Sequence, residues 1–218
     1  MSLVGSGLVG GWRRGQAVVD QLDVAVEPGR VLGVAGPSGC GKSTLVRVLA
    51  LLHTPWRGSV SVDGTEVRQM RYRAPAALRR RVGVVFQQPR ASADPRLTLS
   101  DLLTEPLRAA GERDRAVLDA RAAELCDRVG LTAELRTRRP HEVSDGQLQR
   151  ACLARALAAE PDYLLCDEMT AMLDASTTAA LVSVISAEVD RGLGVLTVSH
   201  DEPLLAAWAD EVVRPWSG

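Results

Sequence analysis

The stretch VLGVAGPSGCGKSTLVRVL, residues 31–49, decides the fold. It reads as a buried strand, a glycine-rich loop from Gly36 to Gly41, and a helix from Lys42 to Leu52. Gly36, Gly41, Lys42 and Ser43 satisfy the pattern G-x-x-x-x-G-K-S/T, placed where its chemistry requires, between strand and helix. Glycines let the backbone turn its N–H groups onto phosphate oxygens, and the helix start adds the positive end of a dipole. Lys42 can reach the β and γ phosphates of a nucleotide, and the Ser43 hydroxyl can ligate Mg2+. The candidate set for ATP and Mg2+ is therefore Gly36, Pro37, Ser38, Gly39, Cys40, Gly41, Lys42, Ser43 and Thr44. Cys40 occupies a position that tolerates many residues and receives no catalytic role.

Composition isolates Lys42. Of 26 basic residues it is the only lysine, and its compact ammonium on a flexible stem is something a planar guanidinium cannot imitate. Downstream, DYLLCDE (162–168) is an apolar strand ending in two carboxylates. Such a strand delivers Asp167 beside the phosphate loop as an Mg2+ partner. Glu168, one residue further, can orient or deprotonate an attacking water.

Around these motifs, residues 17–35 form two strands separated by the turn Glu27-Pro28-Gly29, and 59–67 a hairpin with an Asp63-Gly64 turn. Strands follow at 81–86, 162–167 and 195–199, with a helix over 175–190. From about 88 to 158 the pattern changes to Ala/Leu/Arg segments with helical period, such as LSDLLTEPLRAAG and RAVLDARAAELCDRVG. The expectation is a single α/β domain over 1–218: a P-loop NTPase core (1–87 and 159–218) with a mainly parallel sheet, an antiparallel β edge, and an inserted helical subdomain (88–158). The arginines at 68, 71, 73, 79, 80 and 81 read as a solvated face.

The formal net charge of −1 recruits neither nucleic acid nor an anionic membrane. No apolar run approaches the roughly 18 residues that span a bilayer, and MSLVGSGLVGGW has no charged n-region. Its first residues read as a possible artificial extension. The expected location is cytoplasmic, with any membrane role exercised through a partner. Cys40, Cys126, Cys152 and Cys166 make no C-x-x-C pair and read as reduced thiols.

VSDGQLQRACLARAL (143–157) resembles the signature segment of ATP-binding cassette (ABC) ATPases, Leu-Ser-Gly-Gly-Gln followed by a helix with Gln and Arg. Ser144, Gly146, Gln147, Gln149 and Arg150 match; Val143 replaces Leu, and Asp145 the first glycine. The resemblance implies that this segment binds the γ-phosphate held by an opposite subunit. It further implies a glutamine loop at Gln87, sensing Mg2+ and a permease. A D-loop at 171–174 would carry Asp174 across a dimer interface, His200 would be the switch histidine on the γ-phosphate, and Trp12 would be the aromatic that stacks on adenine. His53 and His141 receive no role. The nucleotide-contacting set thus extends to Trp12, Gln87, Ser144, Gly146, Gln147 and Asp174. Residues 87–108 and 138–161 look most like ATPase subunits of peptide and nickel importers.

The implied partners are a second cassette, transmembrane permease subunits and a solute-binding protein, with peripheral attachment to the inner face of the cell membrane. Cassettes of DNA repair carry long insertions between glutamine loop and signature; the 57 positions here (144 − 87) leave no room for one. A nucleotide-binding regulator without turnover is the rival of a different class, distinguished by ATP turnover. Met169 replaces the proline usual after the catalytic glutamate, and beyond the His200 segment the chain lacks the family's longer tail. Asp145 is the sharpest departure. Like charges about 5 Å apart at an effective dielectric of ~20 repel by roughly 3 kcal/mol. Its carboxylate is therefore expected to disfavour the partner's nucleotide, and to make two paired sites unequal, unless the side chain turns aside.

Overall fold

The computed structural model describes residues 1–13, 15–171 and 173–216. Nine strands form two sheets among these residues. The antiparallel sheet has the order β2 (Val19–Val26), β1 (Leu3–Gly10), β4 (Arg57–Val62), β5 (Thr65–Glu66). The second sheet has the order β6 (Val82–Val85), β7 (Tyr163–Asp167), β8 (Gly194–Ser199), β3 (Val31–Ala35), β9 (Glu211–Val213), and every pairing in it is parallel.

The parallel strands are apolar on both faces because both faces are covered. Along β7, Tyr163 and Leu165 join a core with Val34, Leu196 and Val198, whereas Leu164 and Cys166 join a second core with Val85 and Val195. This is the period-two alternation of a strand. The first core also holds Leu45, Val46, Val48 and Leu49 of α1 (Lys42–Leu49) together with Leu3, Leu8, Val60 and Val62. Helix α1 is thus packed between the two sheets, and truncating a fully buried leucine such as Leu49 would cost about 2–5 kcal/mol. The opposite face carries α4 (Leu99–Ala109), α5 (Arg115–Arg128), α6 (Asp145–Leu157) and α7 (Ala175–Val189) through Leu102, Leu125, Leu148 and Ile185. Short helices α2 (Ala76–Arg80), α3 (Pro89–Ser92) and α8 (Glu202–Trp208), with 3-10 turns at Arg71–Arg73, Ala133–Thr137 and Pro140–Glu142, complete the described elements.

The structure corrects the sequence reading at several points. Residues 3–10 are no extension: β1 is paired on both sides, to β2 and β4. Its glycines hide it from a pattern search; a Cβ at Gly5 would lie 2.5 Å from Leu8 Cδ1, so a larger residue there would make the Leu8 side chain shift. Helix α1 ends at Leu49, and Leu51 takes a left-handed backbone (φ 62°) that ends the helix's continuation. Beyond His200, α8 and β9 cover and extend β3. Arg81 is not merely solvated; it bridges Asp63 and Asp162 and ties the β4–β5 turn to the start of β7.

Candidate functional site

Sheet register brings the motif residues together. Val34, Val198 and Asp167 lie opposite one another on β3, β8 and β7, and Val85 on β6 faces Cys166. Gly36, His200, Glu168 and Gln87 each follow that row by one or two residues. They therefore emerge at the carboxyl edge of the parallel strands, where open α/β sheets bind ligands.

The loop from Gly36 turns into α1 through Gly41, whose φ is 125° and whose absent Cβ would lie 2.3 Å from Val18 O. Only glycine fits there. No side chain caps α1 and its first turn holds no acid, so its leading N–H groups remain for an anion. Pro37, Ser38 and Gly39 are exposed at the loop crest. Cys40 Sγ lies under Gly36, and Thr44 is buried with its methyl towards Gly10.

Lys42 is 3% exposed. Its Nζ donates to the Gly36 and Pro37 carbonyls at 2.7 and 2.8 Å, and lies 3.0 Å from Glu168 Oε1. The other carboxylate oxygen of Glu168 accepts from Gln87 Nε2 at 3.3 Å and lies 3.1 Å from His200 Nδ1. Glu168 itself holds φ at 45°, a left-handed conformation uncommon for a side-chain-bearing residue and concentrated at functional positions. Ser43 Oγ donates to Asp167 Oδ1 at 2.9 Å. Burial pushes the Asp167 carboxyl above its ordinary range, opposed by the Ser43 hydrogen bond and the Arg47 charge.

Ser43, Gln87 and Asp167 line one cavity of about 440 Å3, with Arg47 and Phe86 on its walls. The described residues contain no group of three or more His, Cys, Asp or Glu able to hold a metal. A hydroxyl, a carboxylate and an amide oxygen beside space for water nevertheless fit a hard hydrated cation, which prefers oxygen ligands and keeps several waters.

Trp12 is 62% exposed. Its indole lies 4.8 Å from the His53 ring and 5.3 Å from the Arg47 guanidinium. Arg47 is also 5.9 Å from Phe86. Sequence reasoning gave His53 no role, and here it buttresses Trp12; the missed signal was its place just beyond α1. Arg47 was also missed, although it lies one helical turn after Ser43. A third missed contact is Trp216, whose Nε1 donates to Val18 O at 2.9 Å and whose ring abuts Gly36.

Ser144 is exposed and caps α6: its Oγ accepts from Gln147 N at 3.2 Å, while Gln147 Oε1 accepts from Ser144 N at 2.9 Å. Among the described residues, no hydrogen bond or ion pair joins Ser144, Gly146 or Gln147 to the phosphate loop of the same chain. Asp145 pairs with Arg90 at 2.7 Å, so its charge is compensated within the chain. Asp174 caps α7, accepting from Thr177 N at 2.9 Å and Ser176 Oγ at 2.6 Å, and these donors hold its carboxyl well below the usual range. Met172, within the expected D-loop, lies outside the described residues. No helix among the described residues is long and apolar enough to cross a membrane.

A family described as ABC transporter matches residues 19–171. The glutathione import ATP-binding protein GsiA of Pectobacterium atrosepticum is 38% identical over 98% of this chain and 34% of its own length. The oligopeptide transport ATP-binding protein OppD of Mycobacterium tuberculosis is 42% identical over 92% of this chain and 33% of its own. The chain therefore spans about a third of the length of either relative. Among solved structures, the dimer of an ATP-binding cassette in a post-hydrolysis state, bound to ADP and Pi, superposes with a TM-score of 0.88 at 26% identity, covering 97% of this chain and 93% of that one. A buried lysine inside a glycine-rich loop, two carboxylates at the end of β7 and a capped Ser144 turn thus occur together on that cassette's fold, and this chain belongs to the ABC transporter family.

Proposed function

We propose that this chain binds Mg·ATP and hydrolyses it as one half of a pair of cassettes, energising a membrane permease of the peptide-importing kind. The supporting observation is the meeting of Lys42, Gln87 and His200 on the single carboxylate of Glu168, beside the Ser43–Asp167 pair. In this reading the helices of 88–158 form a subdomain whose Ser144, Gly146 and Gln147 face the partner's nucleotide. The second cassette, the permease and a solute-binding protein are its partners, and attachment to the cytoplasmic face runs through the permease.

Adenine stacks on the exposed face of Trp12. The phosphates enter over Gly36 to Gly41, where backbone N–H groups and the start of α1 receive their charge. Lys42 leaves Glu168 for the β and γ phosphates. Ser43, Asp167 and Gln87 would hold Mg2+, which supplies charge neutralisation at the β and γ oxygens. Glu168, released from Lys42, accepts a proton from the attacking water as its oxygen bonds to the γ phosphorus and the bond to the ADP oxygen breaks. His200 donates to Glu168 or to the γ-phosphate, fixing the geometry of attack. Asp174, by capping α7, shapes the loop that would meet the second subunit.

The test is phosphate release by purified protein. Lys42→Ala should abolish tight ATP binding, and Glu168→Gln should retain binding while lowering turnover by about 10²-fold or more. Turnover by Glu168→Gln at the wild-type rate would overturn the assignment.

A further inference from the structure

Arg90 makes three directed contacts to one short segment. Its Nε donates to Asp145 Oδ1 at 2.7 Å, Nη1 to Pro140 O at 2.9 Å and Nη2 to Val143 O at 3.1 Å. Arg90 follows Gln87 by three residues in α3, and its three acceptors all lie within residues 140–145, the approach to Ser144 and α6. On the other side, Gly146 is pressed against α7, since a Cβ there would lie 3.1 Å from Thr177 Cγ2. The first turn of α6 is thus held between the glutamine loop and the start of α7.

The ion pair alone would mean little. The side chains of Arg90 and Asp145 are 49% and 60% exposed, and such pairs are screened by water. The two carbonyls change that, because they fix the planar fork before Asp145 is counted, so less side-chain freedom is lost in making the pair. A lysine has no such fork. The carboxylate is also favourable at the first helical position of α6, next to the positive end of the dipole, but it stands one residue from Ser144, where a second negative group would have to approach.

We propose that Arg90 is a positioning residue. It holds the Asp145 carboxylate on the glutamine-loop side of α6, compensates its charge, and so lets a signature turn carrying an acid accept a phosphate from a paired cassette. This rests on the reading that Ser144 serves the nucleotide of a second subunit. It makes Arg90 and Asp145 a matched pair: the acid is harmful only when the arginine is gone. It also removes the reason to expect unequal sites, since the charge that would disfavour the partner's nucleotide is already engaged.

The experiment is a double-mutant cycle on ATP-driven self-association, measured by sedimentation velocity in Glu168→Gln protein, which keeps ATP intact. Adding Arg90→Ala should weaken association by about tenfold while leaving ATP affinity of the isolated chain unchanged. Adding Asp145→Gly as well should restore association to within about twofold of the starting protein, and Arg90→Lys alone should not. An Arg90→Ala loss of equal size with Asp145 in place and with Asp145→Gly would reduce Arg90 to a brace on two carbonyls and overturn the proposal, as would no loss at all. If Glu168→Gln protein stays monomeric with ATP, the paired-site reading fails independently. Amide hydrogen exchange at Gln147 and Leu148, whose N–H groups are accepted by Ser144, in nucleotide-free protein then decides the link: acceleration of about tenfold in Arg90→Ala upholds it, and unchanged exchange overturns it.

Discussion

Replacing Asp167 by Asn should stabilise the nucleotide-free protein while removing its response to Mg·ATP. Asp167 is 3% exposed, and its carboxylate is met by Ser43 Oγ at 2.9 Å. Burial is the largest influence on the group and raises its pKa; the neighbouring Glu168 charge adds to the rise, while the Ser43 hydrogen bond, Arg47 and Lys42 oppose it. A charge with so few donors disfavours the fold. Asn keeps the shape, still accepts from Ser43 and sheds the charge, and its amide hydrogens open onto the adjoining cavity of about 440 Å3. The expected gain is about 1 kcal/mol, or about 2–4 °C in Tm for a chain of this size. Because the folded pKa is raised, the native state binds this proton more readily than the unfolded chain. The gain is therefore complete above the folded pKa, shrinks as pH falls, and vanishes below the unfolded value of about 3.9. The assay is thermal unfolding in EDTA from neutral to mildly acid pH. With Mg·ATP at about 100 times its Kd, wild type should gain about 2.7 kcal/mol, roughly 5–11 °C, and the variant little of it. An Asn variant less stable than wild type at neutral pH, or a difference that fails to shrink in acid, would refute the reasoning.

Trp12→Ala should weaken ATP binding by roughly 1 kcal/mol, read by calorimetry, through loss of an exposed stacking face; unchanged affinity would make Trp12 structural. Mg·ATP should shield Cys40 from alkylation, since the thiol is partly accessible within the phosphate loop; equal labelling with and without nucleotide would misplace the loop. Trp216→Ala should raise the ATP Kd several-fold with the fold retained by circular dichroism, because the ring packs on Gly36 and bonds to Val18 O, the carbonyl that also confines Gly41. An unaltered Kd would show that the loop holds its shape without that support.

Where the sequence carried a steric or electrostatic necessity, its place in the fold could be read directly. Gly36 to Ser43 and the acids at the end of β7 belong to this kind, because few residue types suit a loop-to-helix turn of that shape or a strand end of that charge, whereas His200 was legible only through the resemblance to ABC ATPases. The Asp63-Gly64 turn is another, with both residues left-handed (φ 48° and 76°) as a tight hairpin demands. What stayed hidden is long-range. Strand β1 is glycine-rich and becomes a strand only by pairing on both edges. Trp216 packs on Gly36 of the phosphate loop and bonds to Val18 O, 198 residues away in sequence. Asp145 could be seen as a misplaced charge but not as a paired one, since Arg90 is 55 residues away in sequence.

On the proposed function, these contacts also hold the site idle until nucleotide binds. A buried ammonium cannot be left without partners, and Lys42 meets that demand with two loop carbonyls and Glu168. The same Glu168 is held by Gln87 and His200, so the group proposed to activate water is fully engaged while no phosphate is present. A polyphosphate offers Lys42 more negative charge than one carboxylate does, and it arrives where the N–H groups of the α1 start already favour an anion. Once Lys42 turns to it, Glu168 loses its strongest partner and its left-handed backbone (φ 45°) keeps the carboxylate aimed into the same space. On the proposed function, water activation is thereby tied to nucleotide binding through the Lys42–Glu168 ion pair. It follows that Lys42 and Glu168 should be coupled in the stability of the nucleotide-free protein as well as in turnover. Glu168→Gln leaves a buried ammonium facing a neutral amide and should cost about 1–3 kcal/mol. The same substitution made in Lys42→Ala protein, where the cation is already gone, should cost far less. Urea unfolding of the four proteins in EDTA measures the difference, expected above about 0.5 kcal/mol for side chains in contact. Simple additivity of the two losses would mean that the Lys42–Glu168 contact does not hold the acid in check.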